Sequence, residues 1–141
     1  MKTSFIMLVL AGVSACSIAA DMPKSADQAH IQGIWVAQSG SNNGQKEDVA
    51  GCQYIFSGDR FTIRSVVGIE EHFSFKLDTT SIPKSFVLQP ERTITNATYC
   101  SVAYELNGYT LRVAIACPGS HPTSISDTNN QELIVLKRKS P

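Results

Sequence analysis

Four cysteines, three histidines and two adjacent carboxylate pairs are the side chains of this sequence whose types could do chemistry. Cys52, Cys100 and Cys117 show neither the close spacing of a metal knuckle nor a Cys-x-x-Cys redox motif. His72, in "EEHFSF", shares one face of an alternating run with Glu70 and Ser74. Glu70 and His72 offer two metal ligands, but a site would need a third and fourth from elsewhere, and a solvated outer face is the plainer reading. His30 and His121 have no sequence-local partner. Of the carboxylate pairs, Glu47-Asp48 falls in a loop and Glu70-Glu71 points to opposite faces of a strand, so neither spacing suits acid–base work. There is no Gly-x-Ser-x-Gly elbow, His-Glu-x-x-His helix, phosphate-cradling glycine loop or dinucleotide fingerprint. The sequence therefore assigns no catalytic residue, no metal site and no cofactor, although a triad assembled from distant residues stays open.

Cys16 is different. Lys2 supplies a positive start, and "FIMLVLAGV" (5–13) is apolar but too short to span a bilayer. "VSAC" follows, with Ala15 before Cys16 and Val13 three positions upstream, and it resembles a bacterial lipobox. That resemblance implies a lipid on the Cys16 thiol, cleavage before it, and membrane attachment through the anchor. Residues 1–15 would be the signal peptide and 16–24 a tether. Ser17 rather than aspartate after the cysteine implies, by resemblance to Gram-negative sorting signals, an outer-membrane lipoprotein facing the periplasm. The alternative is an ordinary secretory signal cut after Ala19, giving a soluble periplasmic or secreted form. Both readings export the domain, into a compartment that permits disulfides.

The remaining 25–141 is one domain's worth of chain, and a hydrophobic content of 43% is enough for a packed core. Charge is balanced at 12 basic against 12 acidic residues, which gives no footprint for nucleic acid. "SADQ" (25–28) fits a capping box opening a short helix that stops near Gly33. Eight short alternating runs follow: "IWVAQ", "CQYIF", "RFTIRSVV", "IEEHFSFKL", "SFVLQ", "TYCSVAYEL", "TLRVAIAC" and "ELIVLKR". "SGSNNGQKED" and "PGSHPTSISDTNNQ" read as the longest of the loops between them, the first a cover for an open mouth.

The spacing predicts an all-β fold, an antiparallel up-and-down barrel of about eight strands. Such a barrel is filled by its own side chains or holds one small ligand. The inward phase includes Phe61, Ile63, Phe73, Phe75, Leu77, Phe86, Leu88, Val102, Tyr104, Leu106, Leu111, Val113 and Ile115. Phe61, Phe73, Phe75, Tyr104 and Val113 are the candidates for lining a cavity. Matching apolar residues across the hairpin at Asn107-Gly108 pairs Leu106 with Leu111, Tyr104 with Val113 and Val102 with Ile115. One step further sets Cys100 opposite Cys117, which predicts a Cys100–Cys117 disulfide with Cys52 free and a wide loop through "NGYT". A two-residue Asn107-Gly108 turn would instead oppose Cys100 to Ile115.

"GIW" (33–35) directly after a short helix, before an antiparallel meander, looks like the Gly-x-Trp opening of lipocalins. More closely, "IQGIW", "YIFSGDRFTI", "FKLDTTSIPKSF", "YELNGYTL", "PGSHPTSI" and "LIVLKR", in that order, are similar to a family of uncharacterised bacterial lipocalin-like domains of the planctomycete type. The matching segments span roughly residues 31–138; "TITNATYCSV" departs from the family pattern. The resemblance implies that Gly33 and Trp35 form a plug at the closed end with a basic side chain of the last strand over the indole, Arg138 being the matching candidate and Lys137 and Lys139 the lesser ones. Such a contact contributes about 0.5–2 kcal/mol. It implies a lipocalin-like fold and almost no function.

Two functions fit these expectations. One is a binding module for a small apolar or amphipathic ligand near the membrane, which a mouth opening on a cavity would favour. The other is a protein-interaction module, such as an inhibitor or immunity protein of an envelope hydrolase. Exposed apolar or aromatic loop tips, for instance around Tyr109 or residues 118–126, would favour that one.

Overall fold

The computed structural model describes residues 26–91, 100–116 and 120–140. It is a closed, antiparallel, lipocalin-like barrel of eight strands with one short helix and one appended strand. The helix α1 is Ala26–His30. The strands are β1 (Gly33–Asn42), β2 (Gln45–Glu47), β3 (Gln53–Ser57), β4 (Arg60–Arg64), β5 (Glu70–Asp78), β6 (Ser85–Pro90), β7 (Cys100–Asn107), β8 (Thr110–Ile115) and β9 (Glu132–Arg138). Sequential strands pair from β3 to β9, β1 pairs β3, and β9 returns to β1, so no barrel edge is left open. Each of the eight runs expected from the alternation contains a strand, although "RFTIRSVV" leaves the sheet after Arg64.

The ninth strand was not expected. β1 continues through the Ser/Gly/Asn segment to Asn42, and β2 folds back on it with Gly40 opposite Glu47. Asn43 and Gly44 take φ of 48° and 79°, the pair of positive values that a type I′ hairpin turn requires. Asp127 fixes this turn, accepting from Asn43 N at its backbone oxygen (2.7 Å) and from Gly44 N at Oδ2 (3.0 Å). The segment is thus sheet, not a loose cover over the mouth.

The other Asn-Gly dipeptide is placed differently. Asn107 is still paired, with Thr110, so the turn is Gly108-Tyr109, with Gly108 at φ 59°. The register is the one that apolar matching gave: Leu106 opposite Leu111, Tyr104 opposite Val113, Val102 opposite Ile115. It needs no widened loop, because the tight turn sits one residue later than the dipeptide suggests.

A bulge at Gln38 changes which residues of β1 face inward. Trp35 pairs Arg138 and Ala37 pairs Leu136, but Ser39 pairs Val135 and Gly40 pairs Ile134. Residues opposite each other in a sheet share a face, so the inward phase moves from Trp35 and Ala37 to Gly40 and Asn42. The interior is a single apolar cluster built from every barrel strand and closed from below by Ile31, just after α1. Burying each large side chain there stabilises by about 1.5–3 kcal/mol.

Candidate functional site

The two ends of the barrel are built from different materials. At the closed end α1 lies across the strand ends. Gln28 Nε2 donates to Gly58 O at 3.0 Å, and Gln32 both donates to Gly58 O and accepts from Gly58 N. Asp27 accepts from Lys84 Nζ at 2.9 Å and from Tyr104 Oη at 2.8 Å. Burial alone would raise the Asp27 carboxyl; these hydrogen bonds and the Lys84 and His30 charges bring it below its usual value. Ser25, the proposed cap of the helix, lies outside the described residues.

Trp35 is fully buried here, with Nε1 donating to Ile31 O at 2.8 Å. The Arg138 guanidinium carbon sits 4.3 Å from the centre of the indole. Its Nη1 donates to Gln32 O at 2.6 Å, and Nη2 donates to His30 O. Gly33 makes this approach possible. It holds φ of 115°, and a Cβ there would lie 3.0 Å from Arg138 Nη1. Gly33, Trp35 and Arg138 thus meet at the closed end, with the indole buried and the guanidinium partly exposed beside it.

Above the plug the barrel fills with rings. Phe56 lies 4.8 Å from Phe61, 5.2 Å from Phe75 and 5.8 Å from Phe86, centre to centre. Phe86 reaches Tyr104 at 5.8 Å, and Phe61 reaches Phe73 at 6.0 Å. These are packing distances for aromatic pairs. Phe61, Phe73, Phe75, Tyr104 and Val113 all belong to or pack on the core cluster, so they fill the lower interior with one another.

At the mouth, Glu132 opens β9 opposite both Ile115 and Asn42. It therefore shares the inward phase of Ile134 and Leu136 and is only partly exposed. Burial pushes its carboxyl up, and the nearby Glu47 carboxylate adds to the shift. Tyr54 and Cys52 lie on the same inner wall. Burial raises the Tyr54 hydroxyl as well, followed by the charges of Glu132 and Cys52. No hydrogen bond to the Tyr54 hydroxyl is found among the described residues. Cys52 carries a free thiol. Val49 folds inward over Gly40, whose missing Cβ would meet Val49 Cγ2 at 2.6 Å. The result is an inward carboxylate and a phenol rimmed by Val49, Ile63 and Ile115.

Beside this rim stands a rigid apolar tip, the β4–β5 connection. Ser65 N donates to Ile69 O, Ile69 N to Ser65 Oγ, and Gly68 N to Ser65 O, which closes the loop on itself. It displays Val66, Val67 and Ile69 at 68%, 76% and 67% exposure.

Charge follows the same division. Among the described residues, the half of the barrel nearer the closed end carries seven basic side chains (Arg60, Lys76, Lys84, Arg112, Lys137, Arg138, Lys139) against four acidic (Asp27, Asp59, Asp78, Glu105). The half nearer the mouth carries Lys46 and Arg64 against seven acidic: Glu47, Asp48, Glu70, Glu71, Glu91, Asp127 and Glu132. An overall neutral composition hides this polarity.

His72 sits on the outer wall, half exposed, with Nε2 3.4 Å from Glu70 Oε2 and Nδ1 3.1 Å from Thr62 Oγ1. Glu70 is also held by Arg64 at 2.7 Å, so it is an ion-pair partner on a solvated face. Among the described residues no group of three or more His, Cys, Asp or Glu could hold a metal ion. Cys16 and Cys117 lie outside the described residues, so the anchor and the Cys100–Cys117 pairing do too. Comparison with protein-family models, with curated proteins and with solved structures finds no match for this chain.

Proposed function

We propose that this protein is an exported, lipid-anchored member of the planctomycete-type lipocalin-like family. Its role is to bind a small amphipathic molecule at the barrel mouth. What supports it is the inward, half-buried carboxylate of Glu132 beside Cys52 and Tyr54, in a rim that includes Val49, Ile63 and Ile115. An ionised carboxylate kept partly out of water is costly unless it meets a positive charge or a donor. Its complement is a molecule with an apolar tail and a cationic head. The tail would lie on Val49 and the 65–69 tip, and the head would pair with Glu132 under the attraction of Glu47. The filled lower barrel supports a shallow site over a deep one. The lipobox-like "VSAC" supports anchoring at Cys16 and an outer-membrane location facing the periplasm.

A protein-interaction role is the alternative to ligand binding. Val66, Val67 and Ile69 form a pre-ordered apolar knob of the kind that anchors protein contacts, which supports an inhibitor or immunity-type partner in the envelope. Native mass spectrometry of the mature protein extracted gently from its own envelope separates the two. A retained small cationic mass supports the ligand-binding reading. A retained protein supports the second, and a bare protein under conditions that preserve weak complexes counts against both.

A further inference from the structure

We infer that the closed end is a docking surface for an anionic phospholipid bilayer, and that it holds the mouth facing away from the membrane. This inference takes the membrane anchor from the reading above and adds an orientation to it. Two large apolar side chains at this end serve no core: Ile82, on the β5–β6 connection, is 99% exposed, and Tyr109, in the β7–β8 turn, is 77% exposed. An aliphatic tip and an amphipathic phenol are the side chain types that settle at a headgroup boundary.

Exposed lysines flank them. Lys137 pairs Thr110 beside the Tyr109 turn, and Lys139 N donates to Ile34 O at 2.8 Å, which fixes the last basic residue at the same end. The backbone of Tyr109 is itself tied down, its oxygen accepting from Arg138 N at 2.9 Å. Basic side chains beside a membrane are drawn to anionic lipid, and the acidic mouth is repelled by it. The charge polarity of the barrel therefore selects one orientation out of two. Chain length agrees. α1 begins at Ala26 on this same end, ten positions after Cys16. Ten residues reach at most about 35 Å, so an anchor at Cys16 keeps the closed end within that distance of the surface. Two exposed apolar residues alone bind a bilayer weakly; a lipid chain combined with a basic patch is the two-signal arrangement that holds.

The test uses the envelope-extracted protein in vesicles of phosphatidylethanolamine with and without phosphatidylglycerol, doped with brominated lipid. Tyr109→Trp and Val67→Trp place reporters at the two ends, both at highly exposed positions, while buried Trp35 supplies a constant background. The expected result is strong quenching of the Tyr109→Trp reporter in phosphatidylglycerol vesicles, several-fold weaker quenching of the Val67→Trp reporter, and loss of the difference at high salt or with Lys137→Glu/Lys139→Glu. Quenching at Val67→Trp instead, at both, or at neither overturns the orientation. Failure of the anchor is read separately: wild-type chain recovered in the soluble fraction defeats the Cys16 reading. The soluble chain is then added to the same vesicles, where absence of a phosphatidylglycerol-dependent, salt-sensitive signal at Tyr109→Trp defeats the docking surface too.

Discussion

Replacing Trp35 with alanine removes the side chain on which the closed end depends. A tryptophan side chain buries about 200 Å², which at about 25 cal/mol per Å² corresponds to about 5 kcal/mol. Alanine retains part of that area, and the unfolded chain already hides some of it, so the transfer contribution falls below this figure. The cavity left behind adds to the cost, since Ile31 and Arg138 are both held by hydrogen bonds to backbone oxygens and cannot collapse inward freely. A net loss of about 3–5 kcal/mol follows. Trp35→Phe divides the effect, since it keeps most of the apolar surface while leaving Ile31 O without its donor. That variant should lose about 1–2 kcal/mol. Urea unfolding followed by far-ultraviolet circular dichroism is the right assay, because the only tryptophan is gone from both variants. A midpoint for Trp35→Ala within error of wild type would refute the plug and the packing that surrounds it.

Three further outcomes follow from the same reasoning. Cys16→Ala should leave an uncleaved or soluble form, read by membrane fractionation and gel migration; behaviour like wild type means that Cys16 carries no lipid. Peptide mapping of the unreduced mature protein should find Cys100 joined to Cys117 and Cys52 free, a bond contributing about 3 kcal/mol in the chain-entropy model; Cys52 in a crosslinked peptide would overturn that pairing. Glu132→Gln should raise stability at neutral pH. Burial lifts the folded-state pKa of Glu132 above its unfolded value, so the native state binds the extra proton and stability declines as pH rises through that folded pKa. Denaturant midpoints measured from about pH 4 to pH 7 should decline less with pH in Glu132→Gln than in wild type; parallel curves would mean that Glu132 is solvated.

The barrel was legible because most strands alternate cleanly. In β4 and β5, Phe61, Phe73 and Phe75 face one way while Arg60, Arg64, Glu70 and Lys76 face the other, and that contrast alone sets the inner face. β9 offers no such contrast. In "ELIVLKR" both phases are apolar, Leu133 and Val135 in one and Ile134 and Leu136 in the other. Only the pairing of Ile134 with Val113 and Gly40 shows which phase points inward, and hence that Glu132 does. The signal available in sequence was a carboxylate two positions before the inward Ile134, but local pattern could not choose the phase. β1 hides its inner face in another way. The bulge at Gln38 exchanges the phases midway, and no residue type announces it. Asn43-Gly44 did carry a hairpin cue, masked by the polar segment around it. The charge polarity was illegible for a simpler reason: basic and acidic residues alternate along the chain and separate only when the strands are folded back on one another.

On the proposed function, Glu132 makes the mouth a site for an amphipathic cation. Isothermal titration calorimetry of the mature protein with dodecyltrimethylammonium, kept below its micellar concentration, tests it most directly. Wild type should bind one molecule saturably, and Glu132→Gln should bind at least about tenfold more weakly, a difference of about 1.4 kcal/mol. Equal affinity in the two proteins, or no saturable binding to wild type, would mean that Glu132 holds no such ligand.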